Sequence, residues 1–213
     1  AVIETVQANS HPESTARLCF VKNHGGLWSD APGRPETDLL IFTRGLVAWP
    51  ATQRLMLETS GIFAAGHYAG TKMLSWVPHA AVLEAAHAQK FDDALLVNEK
   101  GMLAECTSAN VFLVRGGKVL TPPLSSGCLP GITREVLFEI LPEAGIELRE
   151  ADLRAEDLAG AEEVFISSTT REVAPISEIS PQWKYPAPGP MAARVEQAYR
   201  QHVTGWLLAA KKE

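Results

Sequence analysis

Four short segments of this chain carry residues that could do chemistry. Lys72 closes a stretch of small residues, AAGHYAGTK (64–72), and is followed by the apolar run MLSWV. An ammonium group in a partly dry crevice loses solvation, so its pKa falls and the free amine can condense with a carbonyl compound as a Schiff base. Glu105 lies inside the apolar run MLAECTSANVF, where a lone carboxylate is costly unless a cation or strong donor faces it. LPGITRE (129–135) puts Gly131 and Thr133 at a helix start, where free backbone N–H groups and the positive dipole end favour a phosphate. FISSTTRE (165–172) follows an apolar strand with consecutive hydroxyls from Ser167 to Thr170. Taken singly, each has an ordinary structural explanation, as a solvated lysine or a capped turn.

Together the four segments offer an amine, a carboxylate and two anion cradles. Pyridoxal phosphate needs an amine for its aldehyde, a carboxylate to keep its ring nitrogen protonated and a cradle for its phosphate. Competing chemistries lack their signatures: there is no GxSxG, HExxH, GxxxxGK[ST] or GxGxxG. The histidines at 11, 24, 67, 79, 87 and 202 are scattered, so no metal site is expected. With 19 basic against 25 acidic side chains and no basic cluster, neither nucleic acid nor an anionic membrane surface is an expected partner. Cys19, Cys106 and Cys128 form no CxxC, and no apolar run reaches membrane-span length, which points to a reducing, cytoplasmic setting.

The elements that must position these residues read as follows. Residues 1 to about 10 suggest a helix end, ARLCFV (16–21) and DLLIFTRG (38–45) are strands, and 24–35 is a Gly/Pro loop. Residues 64–72 are a linker, and VPHAAVLEAAHAQK (77–90) is a helix with proline near its start. DALLVN (93–98), MLAECTSANVFLV (102–114, broken around 107–109) and KVLTPP (118–123) form a β-meander with NEKG and RGGK as turns. A helix opens after Gly131 and closes near Pro142 and Gly145. IELREADL (146–153) and EVFIS (163–167) are strands around a short acidic helix at 154–159. In 189–213, Val195, Tyr199, Val203 and Trp206–Leu207 mark the apolar face of an amphipathic helix.

The order GTK (70–72), FDDALLVNEKGMLAECTSANVFLVRGGKVLTPPL (91–124), LPGITREVL (129–137) and EVFISSTTREVAPI (163–176) closely resembles fold-type IV pyridoxal-phosphate enzymes, the class IV aminotransferase family. That family comprises branched-chain aminotransferases, D-amino acid aminotransferases and 4-amino-4-deoxychorismate lyases. The resemblance implies an α+β, two-domain fold: a small α/β N-terminal domain, here incomplete and with its linker spanning 1–68, and a larger β-barrel-like domain spanning 69–213. It also implies a homodimer.

By the same resemblance Lys72 is the catalytic residue and carries the cofactor as a Schiff base. Glu105 would pair with the pyridine nitrogen, and Leu129 would press on the ring face. Gly131, Ile132 and Thr133 would hold the phosphate, with Ser168 and Thr169 as the second half of the cradle. Asn110 is expected to stabilise a strand pair. Ser75 stands where relatives often carry asparagine, and VKNHGG (21–26) stands where several carry an arginine turn, so substrate choice stays open. The loop SSTTREVAP is closer to aminotransferase versions, making amino transfer between an amino acid and a 2-oxo acid the first expectation. The alternatives are pyruvate release from an aminodeoxychorismate-like substrate and a non-catalytic ligand-binding relative.

Overall fold

The computed structural model describes residues 1–10, 12–22 and 36–210. The loop expected at 24–35, the arginine-turn position at 23–26, His11 and the terminal Lys211–Lys212 lie outside them. The chain divides into two compact units, Ala1–Ala48 and Trp49–Glu213.

In the first unit, helix α1 (Val2–Ala8) precedes a two-stranded antiparallel ribbon of β1 (Ser14–Lys22) and β2 (Thr37–Gly45). Asn9 Nδ2 donates to Thr43 Oγ1 at 2.6 Å, fixing the helix end on β2. The ribbon leaves Leu18, Phe20, Leu39, Leu40 and Phe42 exposed.

The second unit is built on a nine-stranded mixed sheet. Its strands are β3 (Gln53–Ile62), β4 (Asp93–Asn98), β5 (Leu103–Cys106), β6 (Asn110–Arg115), β7 (Lys118–Thr121), β8 (Leu148–Glu150), β9 (Glu163–Ser168), β10 (Glu172–Ile179) and β11 (Trp183–Lys184). The spatial order is β5-β4-β3-β10-β9-β6-β7-β8, with β11 on β10. β3, α2 (Val77–Ala88) and β4 form a βαβ unit with parallel strands, so the loop bearing Lys72 leaves the carboxyl end of a parallel strand.

Period-two alternation decides which side each residue serves. In β6, Val111 and Leu113 join Leu55, Leu95, Val164, Ile166 and Ile176 in one core. Phe112 and Val114 face the other way, where Phe112 stacks on Phe165 with ring centroids 4.9 Å apart. That second core is closed by α3 (Ile132–Ile140) and by α4 (Pro190–Ala210) through Leu137, Ala192 and Val195. A third, smaller cluster packs α2 through Ala86 against Met56, Ala94 and Leu96.

Two expectations are corrected, and two strands had gone unread. The strands from 93 to 123 form two hairpins rather than a continuous meander: β4–β5 ends one edge of the sheet, while β6–β7 lies beyond β3, β10 and β9. Turn residues report local pairing, and this rearrangement is non-local. Residues 53–62, to which the sequence assigned no element, are a central strand whose neighbouring Leu55 and Met56 are both buried. β10 was hidden by Pro175, which is tolerated because pairing with β3 begins only at Ile176. In α4 the expected apolar stripe packs through Val195, but Trp206, Leu207 and Leu208 are exposed. No described helix is long and apolar enough to cross a membrane.

α4 is anchored by a carboxylate rather than by its own N-cap. The buried Glu163 accepts from Met191 N–H and Ala192 N–H, each at 2.8 Å, at the positive end of the helix dipole. Gly189 is required beside it, since a Cβ there would come within 2.1 Å of the Glu163 carboxyl carbon. Glu163→Ala should destabilise the protein by about 1–3 kcal/mol in urea unfolding, because it strips two N–H groups of their acceptor; an unchanged midpoint would contradict this anchoring.

Candidate active site

The loop after the second hairpin is held by side chains from both hairpins. Leu129 N–H donates to Glu105 Oε2 at 3.0 Å, and Asn110 Nδ2 donates to Leu129 C=O at 2.9 Å. Glu105 belongs to β5 and Asn110 opens β6, so one residue's backbone is held from both sides of the 107–109 turn that links the two hairpins. The Asn110 side chain therefore holds this loop, while its backbone is part of the β6–β9 strand pair. The same asparagine explains Gly131: a Cβ there would come within 2.1 Å of Asn110 Oδ1.

Gly131 is the N-cap of α3, and no side chain caps that helix start. Its first N–H groups are consequently free to serve an anion. Ile132 is 69% exposed while Thr133 is 4% exposed, so the two adjacent residues differ in how openly they can meet a ligand. Across the sheet Asn110 pairs with Ser167. Ser167 is buried and its hydroxyl has no partner. The next residue, Ser168, opens the β9–β10 turn, and Thr169 follows exposed at its tip. Glu172 closes the turn with φ at +55°.

The lysine loop docks on the same segment. Gly70 N–H donates to Gly127 C=O at 3.2 Å, and the positive φ of Gly70, +70°, suits glycine. Glu99 fastens the loop's start by accepting from Ala64 N–H at 2.8 Å and Ala65 N–H at 3.2 Å. Lys72 itself is exposed, which corrects the dry crevice expected from the apolar residues after it. Its charge nonetheless reaches Glu105. Burial pushes the Glu105 carboxyl up to about 7, and the charge of Asp93 adds to this, while the Leu129 N–H and the Lys72 ammonium pull the other way. A carboxyl in that condition favours a positively charged hydrogen-bond donor as neighbour.

Sequence reasoning missed a second polar constellation beside Glu105. Asp93 is fully buried at the start of β4 and pairs with Arg171 Nη2 at 3.0 Å. Asp93 Oδ1 accepts from Thr107 N–H at 3.1 Å and Thr107 Oγ–H at 2.5 Å, and Oδ2 accepts from Ser108 Oγ–H at 2.8 Å. Arg171 Nη1 donates to Ser108 Oγ at 2.7 Å, and its guanidinium lies 4.2 Å over the Trp49 ring. Loss of either charged partner would leave a buried charge unpaired, at a cost of about 3–5 kcal/mol. The available signal was the charge pair FDD set against apolar ALLV, which demanded a cation that only the fold could name.

The amino-transferase class IV family model matches residues 2–179, and the chain belongs to that family. It is 35% identical over 121 residues to the branched-chain-amino-acid aminotransferase of Escherichia coli strain K12, covering 56% of this chain and 39% of that protein. It is 34% identical over 144 residues to a D-alanine aminotransferase of Listeria monocytogenes, covering 66% of this chain and 50% of the relative. Among solved structures, the branched-chain amino acid aminotransferase of Thermobaculum terrenum in its PLP form superposes with a TM-score of 0.81 at 27% identity, over 95% of this chain and 68% of the other. The chain thus spans half or less of the length of these two curated relatives.

The Glu105 environment makes a prediction for the ligand-free protein. A carboxyl whose folded pKa is raised from 4.5 to about 7 stabilises the fold fully below pH 4.5 and progressively less as pH rises through 7, by about 3 kcal/mol in all. Glu105→Gln should flatten that fall, measured as urea midpoints at pH 5 and pH 8; a variant with the parental pH dependence would contradict the assignment.

Proposed function

We propose that the protein is a pyridoxal-phosphate-dependent aminotransferase that moves an amino group between an amino acid and a 2-oxo acid. The observation carrying this reading is the double anchoring of Leu129, which gathers the raised-pKa carboxyl of Glu105 and the uncapped start of α3 around one loop. The residues present fit the cofactor. A half-buried, desolvated carboxyl suits a protonated ring nitrogen, free N–H groups of Ile132 and Thr133 beside Gly131 suit a phosphate, and the hydroxyls of Ser168 and Thr169 extend that donor set. The larger unit, comprising the 69–213 region with β3 before it, is proposed as the part that holds the group.

Pyridoxal phosphate, when bound, supplies an aldehyde that accepts an amino group and a ring that draws electron density from the substrate carbon. In this assignment Lys72 Nζ would hold the aldehyde end of the group and would take a proton from the substrate α-carbon. Glu105 would keep the ring nitrogen protonated. Leu129 would exclude water from the ring face. A homodimer is proposed as well, which accords with the apolar side chains exposed on the β1–β2 ribbon. A cytoplasmic site accords with three free cysteines.

The complete protein, supplied with pyridoxal phosphate, should convert an amino acid plus 2-oxoglutarate into the matching 2-oxo acid and glutamate. Lys72→Ala should lower that rate by at least about a thousandfold. Pyruvate release from aminodeoxychorismate without an amino acceptor would overturn the aminotransferase reading in favour of the lyase; absence of both activities with bound ligand would favour a binding relative.

A further inference from the structure

We infer that Arg171 and Asp93 are positioning residues that hold the Ser168–Thr169 turn ready for an anionic ester and fix its spacing from the Glu105 strand; this rests on the cofactor reading above. Two turns flank the site: the 107–109 turn between β5 and β6, and the 169–171 turn between β9 and β10. The β6–β9 ladder, with Asn110 opposite Ser167, sets them side by side. The Arg171 guanidinium ties one turn to the other through side chains, bonded to Asp93 on β4 and to Ser108 in the first turn.

The fixing extends to individual atoms. Asp93 accepts from Thr107 and Ser108, so the turn directly after Glu105 is fastened to the same carboxylate that holds Arg171. At the other end, Arg171 N–H donates to Ser168 Oγ at 3.2 Å. That bond occupies an acceptor site of the hydroxyl and leaves its own hydrogen to be given away. Ser168 is thereby set as a donor, the polarity an anion needs. The guanidinium contributes little net charge of its own to the turn, since Asp93 neutralises it. With side-chain exposures of 4% and 0%, the pair is shielded from solvent competition. Stacking on Trp49 restricts the guanidinium plane further.

A lysine cannot reproduce two fork-shaped bonds and a stacked plane, so Arg171→Lys keeps the charge and loosens the turn. The test compares affinities for pyridoxal phosphate and for pyridoxal, which lacks the ester, by equilibrium dialysis on the complete protein. Arg171→Lys should weaken pyridoxal phosphate about tenfold while changing pyridoxal less than about twofold. Ser108→Ala, an exposed position expected to fold normally, should shift the ratio in the same direction by a smaller factor, and it decides the matter if Arg171→Lys does not fold. Equal weakening of both ligands, or none, would overturn the positioning role while leaving the cofactor reading intact. If the unmodified protein bound neither ligand, the cofactor reading itself would fall, and this inference with it.

Discussion

Both polar groups of the Leu129 backbone are taken by side chains from separate strands, and the rest of the site follows from that. Its N–H goes to Glu105 and its C=O to Asn110. β5 and β6 belong to different hairpins but are joined by the tight 107–109 turn, where Cys106 N–H donates to Ala109 C=O at 2.7 Å, so the Leu129 bridge closes over that corner. The loop then presents Gly127 to the lysine loop and Gly131 to the start of α3. Glycine is needed at 131 because the bridge itself occupies the space a Cβ would take.

The electrostatic consequence is a division of roles among acids. Glu105 has one backbone donor and sits in a desolvated place, so it holds its proton to about pH 7. Asp93, nearby, receives five donors counting its own neighbour Ala94, and is paired to arginine. One carboxyl is left wanting a cationic partner while the other is saturated and structural. That contrast separates an acid that is short of donors from a scaffold acid by their environments alone.

The candidate site residues stand out in the sequence because their types conflict with their surroundings. A glutamate in an apolar strand and consecutive hydroxyls after EVFIS are both local anomalies. The hairpins and α2, α3 and α4 were legible from turn residues and periodicity. What escaped was non-local. β3 lacks a clean alternation, with the neighbouring Leu55 and Met56 both buried, β10 was obscured by Pro175, and the exposure of Lys72 depends on a loop path that flanking hydrophobicity does not report. Arg171 escaped for the same reason: its partner Asp93 lies 78 positions earlier in the chain, and only the folded sheet brings them together.

The central claim is that the amine of Lys72, rather than any other, receives the aldehyde. Reducing the protein with borohydride in the presence of pyridoxal phosphate and locating the mass increment by peptide mass spectrometry tests it directly. A single phosphopyridoxyl group on the peptide containing Lys72 is the result this account predicts; modification confined to other lysines, or none at saturating ligand, would contradict it.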